Sequence, residues 1–214
     1  MAGKAATAEP DVLDMGGGST GDLPWEPGGP GGSALPQRVY VTGIWLALAS
    51  ILMFFTALTS AYLVRQGIST DWVPIELPAI LWANTAVLLG SSATIERARR
   101  LLAEGRLEGF RRWWGFTTLL GLLFLVGQVL VWNELRAAGV YVATNPSSSF
   151  FYVLTAAHGV HLLGGVVALL YLGRWDESRE HRAGRTTAAA ATTVYWHFLG
   201  VIWVGVFLLL NLRG

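Results

Sequence analysis

The sequence predicts an all-α membrane protein of five transmembrane helices, on three observations. Apolar residues make up 53% of the 214 residues and charged ones only 14%, against roughly a quarter charged in soluble domains. The apolar residues gather in long blocks separated by short charged or Pro/Gly stretches, which is how spans and their loops read in sequence. The arginines concentrate in alternate loops, as expected of a chain that crosses a bilayer repeatedly. A soluble helical bundle would need a polar face on each helix, and these blocks lack one.

Residues 1–37 are rich in Gly and Pro, carry several acids and contain no apolar run, so they do not read as a signal peptide. Such a segment buries too little surface to offset its ordering entropy. It is expected to be a disordered or extended tail along a neighbouring subunit, ahead of a five-helix domain over 38–214. The first span is expected at about 40–64 and the second at about 77–95, where Pro78 falls in the tolerated first turn. The third follows at about 113–132, the fourth at about 150–172 and the fifth at about 188–212. Each approaches the roughly 20 residues needed to cross about 30 Å of hydrocarbon.

The loop between spans two and three holds Arg97, Arg99, Arg100, Arg106, Arg111 and Arg112, and that between four and five holds Arg174, Arg179, Arg182 and Arg185. The other two loops carry Arg65 and Arg136. The positive-inside rule then places the N-terminus in the cytoplasm and the C-terminus outside. Tyr40, Trp72, Trp113, Trp114 and Trp132 fall near span ends, where an aromatic belt is expected.

Polar groups within a span are costly and face the bundle interior by default. The sharpest set is His158 and His161 in span four with His197 in span five. His158 and His161 are three apart and share a helix face. All three lie roughly 10–20 Å from their helix entry points, at about 1.5 Å per residue, and are expected to converge near mid-membrane depth. Three imidazoles suit copper, zinc or an axial haem position. The competing and favoured reading is that they fix packing, because no nearby carboxylate supports a metal and no facing histidine pair supports haem. With no cysteine in the chain, disulfides, thiolate metal sites, iron–sulfur clusters and CxxCH haem attachment are excluded. Asn84, Ser91, Ser92, Thr117, Thr118 and Gln128 are further intramembrane polar groups, and Gly164, Gly165, Gly200 and Gly205 are expected to permit close helix approach. No Asp, Glu or Lys lies within the core of any span, so the chain holds no titratable wire across the bilayer and does not read as a pump.

At these residues a resemblance appears. NPSSSFFYVLTAAHGVHLLGGVVALLY (145–171) resembles the signature helix of subunit III of haem–copper respiratory oxidases, with its HGxH motif and following glycines. YWHFLGVIWVGVFLLL (195–210) is similar to that family's last helix, GLLFLVGQVLVWNEL (121–135) to its Gly-Gln helix, and LALASILMFFTALTSAYLV (46–64) to its Ser-x-x-Met-Phe-Phe helix. The four pieces occur in order and in register over residues 40–214, and match the five-helix bacterial form.

The resemblance implies an accessory, non-redox subunit III of a proton-pumping terminal oxidase of the cytochrome c oxidase type, in the bacterial cytoplasmic membrane. It implies that haem and copper reside in subunits I and II, that this chain packs on subunit I, and that membership of a larger respiratory supercomplex is open. It also implies a cleft between helices 1–2 and helices 3–5 holding phospholipids, with His158, His161, His197, Gln128 and Asn84 beside it. Where the family commonly carries an intramembrane glutamate after the first-helix serine, Ser50 is here followed by Ile51, so roles of that carboxylate do not carry over. The alternatives are an accessory subunit of nitric oxide reductase, of the same broader family, or an independent small transporter. No nucleic-acid partner is expected.

Overall fold

The computed structural model describes residues 37–68, 70–75, 77–174 and 182–213. The tail expected over 1–37 lies, but for Gln37, outside these residues, as does Arg179. Five α-helices account for nearly all of what is described: α1 (Gln37–Ile68), α2 (Ile80–Ala103), α3 (Leu107–Ala137), α4 (Pro146–Gly173) and α5 (Arg182–Arg213). α1, α3, α4 and α5 run past the expected spans at both ends, whereas α2 starts at Ile80, so that Pro78 precedes the helix and is not in its first turn, and runs on to Ala103. The 31 residues of α3 reach about 46 Å at 1.5 Å per residue, enough to carry its ends through the headgroup regions.

Four helices, α1, α3, α4 and α5, are long and apolar enough to cross a membrane. α2 falls short of them, and its composition shows why. Its buried positions Leu81, Asn84, Thr85, Leu88, Ser91, Ile95 and Ala98 recur at helical spacing, so polar groups that lower its apolarity are turned inward. Its last turns carry Glu96, Arg97, Arg99 and Arg100. Arg99 and Arg100 close on Glu96 at 2.8 and 2.9 Å and hold its carboxyl at about 2, well below the usual carboxylate range, by hydrogen bonding.

Short connections set the neighbours. α2 and α3 are joined by Glu104–Arg106, where Gly105 takes φ +76° and the amide of Arg106 returns to the Leu101 carbonyl at 2.9 Å. That closure folds α3 back against α2. Gly139, at φ +80°, does the same for the end of α3, with the Val140 amide on the Leu135 carbonyl. α4 opens on a reciprocal capping box between Asn145 and Ser148 with Pro146 in its first turn. The Ser147 hydroxyl donates to the Val73 carbonyl, tying the α1–α2 connection to this helix start.

α2 packs chiefly on α3 and also on α5, α4 lies against α3 and α5, and α1 touches only α4 and α5 among the described residues. A cleft dividing helices 1–2 from helices 3–5 is therefore not the division the chain makes. The three-residue turn after α2 forces it beside α3, whereas the long α1–α2 connection lets the two part. α1 is peripheral: 11% of its apolar window is buried, against 39–44% for α3, α4 and α5.

Candidate functional site

The interior is closed by aromatic rings and crossed by polar side chains. His158 is fully buried in α4. Its ring lies 4.8 Å from that of Trp203 on α5, 5.7 Å from Phe124 on α3 and 6.4 Å from Phe55 on α1. Four helices thus meet at one imidazole, and neither ring nitrogen has a hydrogen-bond partner among the described residues. One turn on, His161 turns its Nδ1 to the Ala157 carbonyl at 2.7 Å and packs its ring on Phe54 and Phe55 at 6.1 and 5.6 Å. Its own carbonyl accepts from the Tyr195 hydroxyl at 2.9 Å. Phe55 therefore bridges His158 and His161. His197 is half-buried and has no ring contact with either among the described residues. Among those residues no three His, Asp or Glu side chains are grouped as metal ligands.

Gln128 and Asn84 are buried on α3 and α2, at 2% and 4% exposure. Neither Gln128 amide atom has a partner among the described residues, and Asn84 Nδ2 has none. A Cβ at Gly127 would stand 2.9 Å from Asn84 Cγ and closer still to its Oδ1, so a bare backbone lets Asn84 lie against α3. Ile51, at the position of the family carboxylate, packs partly buried against the core.

One tight helix approach sits at Gly121, which the sequence did not single out, and another at Gly165, which it did. A Cβ on Gly121 would stand 2.6 Å from the Trp196 ring, and one on Gly165 would stand 3.2 Å from the rings of Trp196 and Tyr195. Of the four expected, Gly165 is such a contact and Gly200 makes an ordinary one at Ser92. Gly164 has only the Tyr195 hydroxyl at 3.9 Å, and Gly205 faces open space. These two do not mediate close approach, because their faces of α4 and α5 look outward.

Four tryptophans lock the helices in pairs. Trp203 Nε1 donates to Thr85 Oγ1 at 3.0 Å and Trp196 Nε1 to Ser91 Oγ at 2.9 Å, both joining α5 to α2. Trp114 Nε1 donates to the Leu169 carbonyl at 2.8 Å and Trp132 Nε1 to Thr155 Oγ1 at 3.1 Å, both joining α3 to α4. Trp114 is thus a buried clamp and not a belt residue. Trp113 is partly buried with the Arg97 guanidinium 5.8 Å from its ring. The signal for the α5 pair was present as a seven-residue spacing of Trp196 and Trp203 opposite Thr85 and Ser91. Arg185, expected in a loop, lies within α5, buried with its guanidinium 5.0 Å from the Phe110 ring.

This arrangement holds the helices together. Comparison with known proteins agrees with the resemblance. The profile of the family described as cytochrome c oxidase subunit III matches residues 37–214. The chain is similar to a probable cytochrome c oxidase subunit 3 of Nocardia farcinica, 34% identical over 82% of this chain and 93% of that one. It is 30% identical to a probable cytochrome c oxidase subunit 3 of Mycobacterium tuberculosis, over 84% of this chain and 94% of that one. It is 33% identical to the cytochrome c oxidase subunit 3 of Thermostichus vulcanus, over 79% and 85%. A match running from the start of α1 to the end of α5, carried by the helices that build this interior, makes the chain a member of the cytochrome c oxidase subunit III family.

Proposed function

We propose that the chain is the accessory subunit III of a proton-pumping cytochrome c oxidase of the bacterial cytoplasmic membrane, packed on subunit I beside subunit II and holding phospholipids, with no redox centre of its own. The observation that carries the reading is the family match over 37–214, covering all five helices. The names of the relatives favour the oxidase over the nitric oxide reductase and transporter alternatives. The buried interior supports a scaffold role. Its polar side chains, Asn84, Gln128, His158 and the threonines, are buried, and the tryptophan clamps are hydrogen bonds from one helix to another.

In this reading all five helices cross the bilayer, α2 included. Its inward polar face is covered by the apolar spans α3 and α5, which removes the cost of placing it at membrane depth. The arginine-rich α2–α3 and α4–α5 ends face the cytoplasm, leaving the N-terminus inside and the C-terminus outside. Phospholipid is held in the gap between the C-terminal half of α1 and the start of α4, about 850 Å³ lined by Ala57, Ser60, Ala61, Val64, Arg65 and Phe150 among others. The small α1 residues recede there and Arg65 stands at the mouth.

Native purification through a tag on this chain, with a reduced-minus-oxidised spectrum and identification of co-purifying subunits, tests the reading. Haem and copper should arrive with a large polytopic partner and leave when this chain is stripped free. A chain that purifies alone and colourless overturns it.

A further inference from the structure

A second groove lies on the opposite side of α4, between the start of α3 and the end of α4, with a volume of about 410 Å³. Two cations stand at its mouth, Arg111 on α3 and Arg174 at the C-cap of α4, both exposed. Everything below them is apolar or internally satisfied. Leu119, Leu122 and Leu170 form exposed walls, and Trp114, its Nε1 already given to the Leu169 carbonyl, forms the floor. The one hydroxyl in the lining, that of Thr118, donates to the Trp114 carbonyl at 3.0 Å. Gly115 keeps the groove open, since a Cβ there would meet nothing within 4 Å.

Length identifies the occupant. From Arg111 to Leu122 the groove follows α3 for eleven residues, roughly 16 Å at 1.5 Å per residue, which is about half of a 30 Å hydrocarbon core. It runs from the charged membrane boundary to the mid-plane, the depth of one leaflet. We propose that this groove seats one acyl chain of an anionic phospholipid, with the phosphate between Arg111 and Arg174. Guanidinium groups suit a phosphate through paired N–H donors, and two cations at one mouth favour a headgroup of net negative charge over one whose own ammonium offsets its phosphate. The site is distinct from the α1–α4 gap and rests on the proposed function only in placing these helices in a bilayer.

The test uses the tagged chain in whatever assembly it purifies, with bound lipids counted by native mass spectrometry after exchange against vesicles of phosphatidylglycerol or of phosphatidylcholine. Wild type should retain phosphatidylglycerol in preference. Each arginine near an anionic headgroup contributes about fivefold, so R111Q/R174Q should weaken phosphatidylglycerol retention roughly 25-fold and phosphatidylcholine retention by less, since its trimethylammonium already offsets the phosphate. G115L fills the groove from a position with room for the side chain and should displace either lipid. R106Q, at the same membrane boundary but outside the groove, should change nothing. Unaltered phosphatidylglycerol retention in R111Q/R174Q or in G115L overturns the proposal, as does a protein helix found seated in the groove by electron microscopy of the assembly. The haem spectrum of the same sample reports separately on the oxidase reading, so the two fail independently.

Discussion

Gly121→Ala places a methyl group where the structure has no room for it. The new Cβ would stand 2.6 Å from one carbon of the Trp196 ring and 3.1 Å from a second, with a Val166 methyl also at 3.1 Å. Carbon atoms prefer about 3.5–4.0 Å, so the shortfall is close to 1 Å on one side. Trp196 has little freedom to withdraw, because it is fully buried and its Nε1 is held by Ser91. Overpacking costs about 1–3 kcal/mol, and a shortfall near 1 Å against a ring that cannot withdraw belongs to the upper part of that range, about 2–3 kcal/mol. The intrinsic helix preference of Ala over Gly returns up to about 1 kcal/mol, leaving a net loss of roughly 1–2 kcal/mol. The assay is thermal dissociation of this chain from the purified assembly, run with Gly205→Ala as a control that faces open space and should melt at or slightly above wild type. Trp196→Phe removes the crowding ring, so the pair Gly121→Ala with Trp196→Phe should be more stable than the sum of the single changes by about 1 kcal/mol. A Gly121→Ala protein that melts with wild type, or a strictly additive double variant, refutes the argument that this crossing is set by the bare backbone.

Trp203→Phe should cost about 0.6 kcal/mol and at most about 1.7 for the hydrogen bond, plus about 1 kcal/mol for the smaller ring against His158 and Phe124. Thr85 keeps its bond to the Leu81 carbonyl, so a much larger loss on thermal dissociation would assign Trp203 a role beyond the clamp. His158→Ala empties a site packed by rings from three other helices and should loosen the assembly by about 2–4 kcal/mol. Haem and copper in the intact complex should stay stoichiometric, and their loss would show that the imidazole serves a metal. Glu96→Gln removes a carboxylate held at about 2 by Arg99 and Arg100. Its folded value is depressed, so its contribution is fully present above the ordinary value of 4.5 and fades as pH falls toward 2. Melting temperatures of wild type and variant should therefore differ by a constant amount from pH 5 to 8 and converge below pH 4. A gap that widens in acid would contradict this sign.

The helices were legible and their neighbours were not, for one physical reason. In a bilayer the outward face of a span is as apolar as its inward face, so runs of 20 apolar residues announce a helix while erasing the stripe that says which way it points. In α4 the only polar marks on the inward face at membrane depth are Thr155 and His158, and Gly165, which meets Trp196, follows His158 by two helical turns whereas Gly164 faces out. α2 was the converse. Its inward face carries Asn84, Thr85 and Ser91, so its orientation is readable from polarity even though its span is the least apolar. His158 and His161 were readable as interior groups by the cost of polar atoms in a span. Their bridging by Phe55 of α1 was not, because it depends on which helix α1 chooses. Trp114 was assigned to the boundary by its place near a span end. What decides its position is the Leu169 carbonyl on another helix, which no local pattern encodes.

The apolarity of lipid also accounts for α1. A helix of a soluble protein with 11% of its apolar window buried would leave a large unfavourable surface in water. In lipid the outward side chains Trp45, Leu46, Met53 and Val64 lose nothing by remaining uncovered, since the acyl chains are as apolar as a protein core. α1 then needs only enough specific contact to fix its place, and it has three points of it. Phe54 and Phe55 sit on the two histidines, Tyr62 stacks edge-on with Phe150 at 5.6 Å, and Leu48 is buried nearer the helix start. Ile51 belongs to this arrangement. It lies on the same side of α1 as Leu48, Phe55 and Leu58, at spacings of three, four and seven residues, and packs partly buried against the core. A carboxylate at that point would enter an apolar contact surface, with a penalty set by the bilayer and not by water. The isoleucine instead extends the aromatic and aliphatic stripe by which α1 is held to α4 and α5.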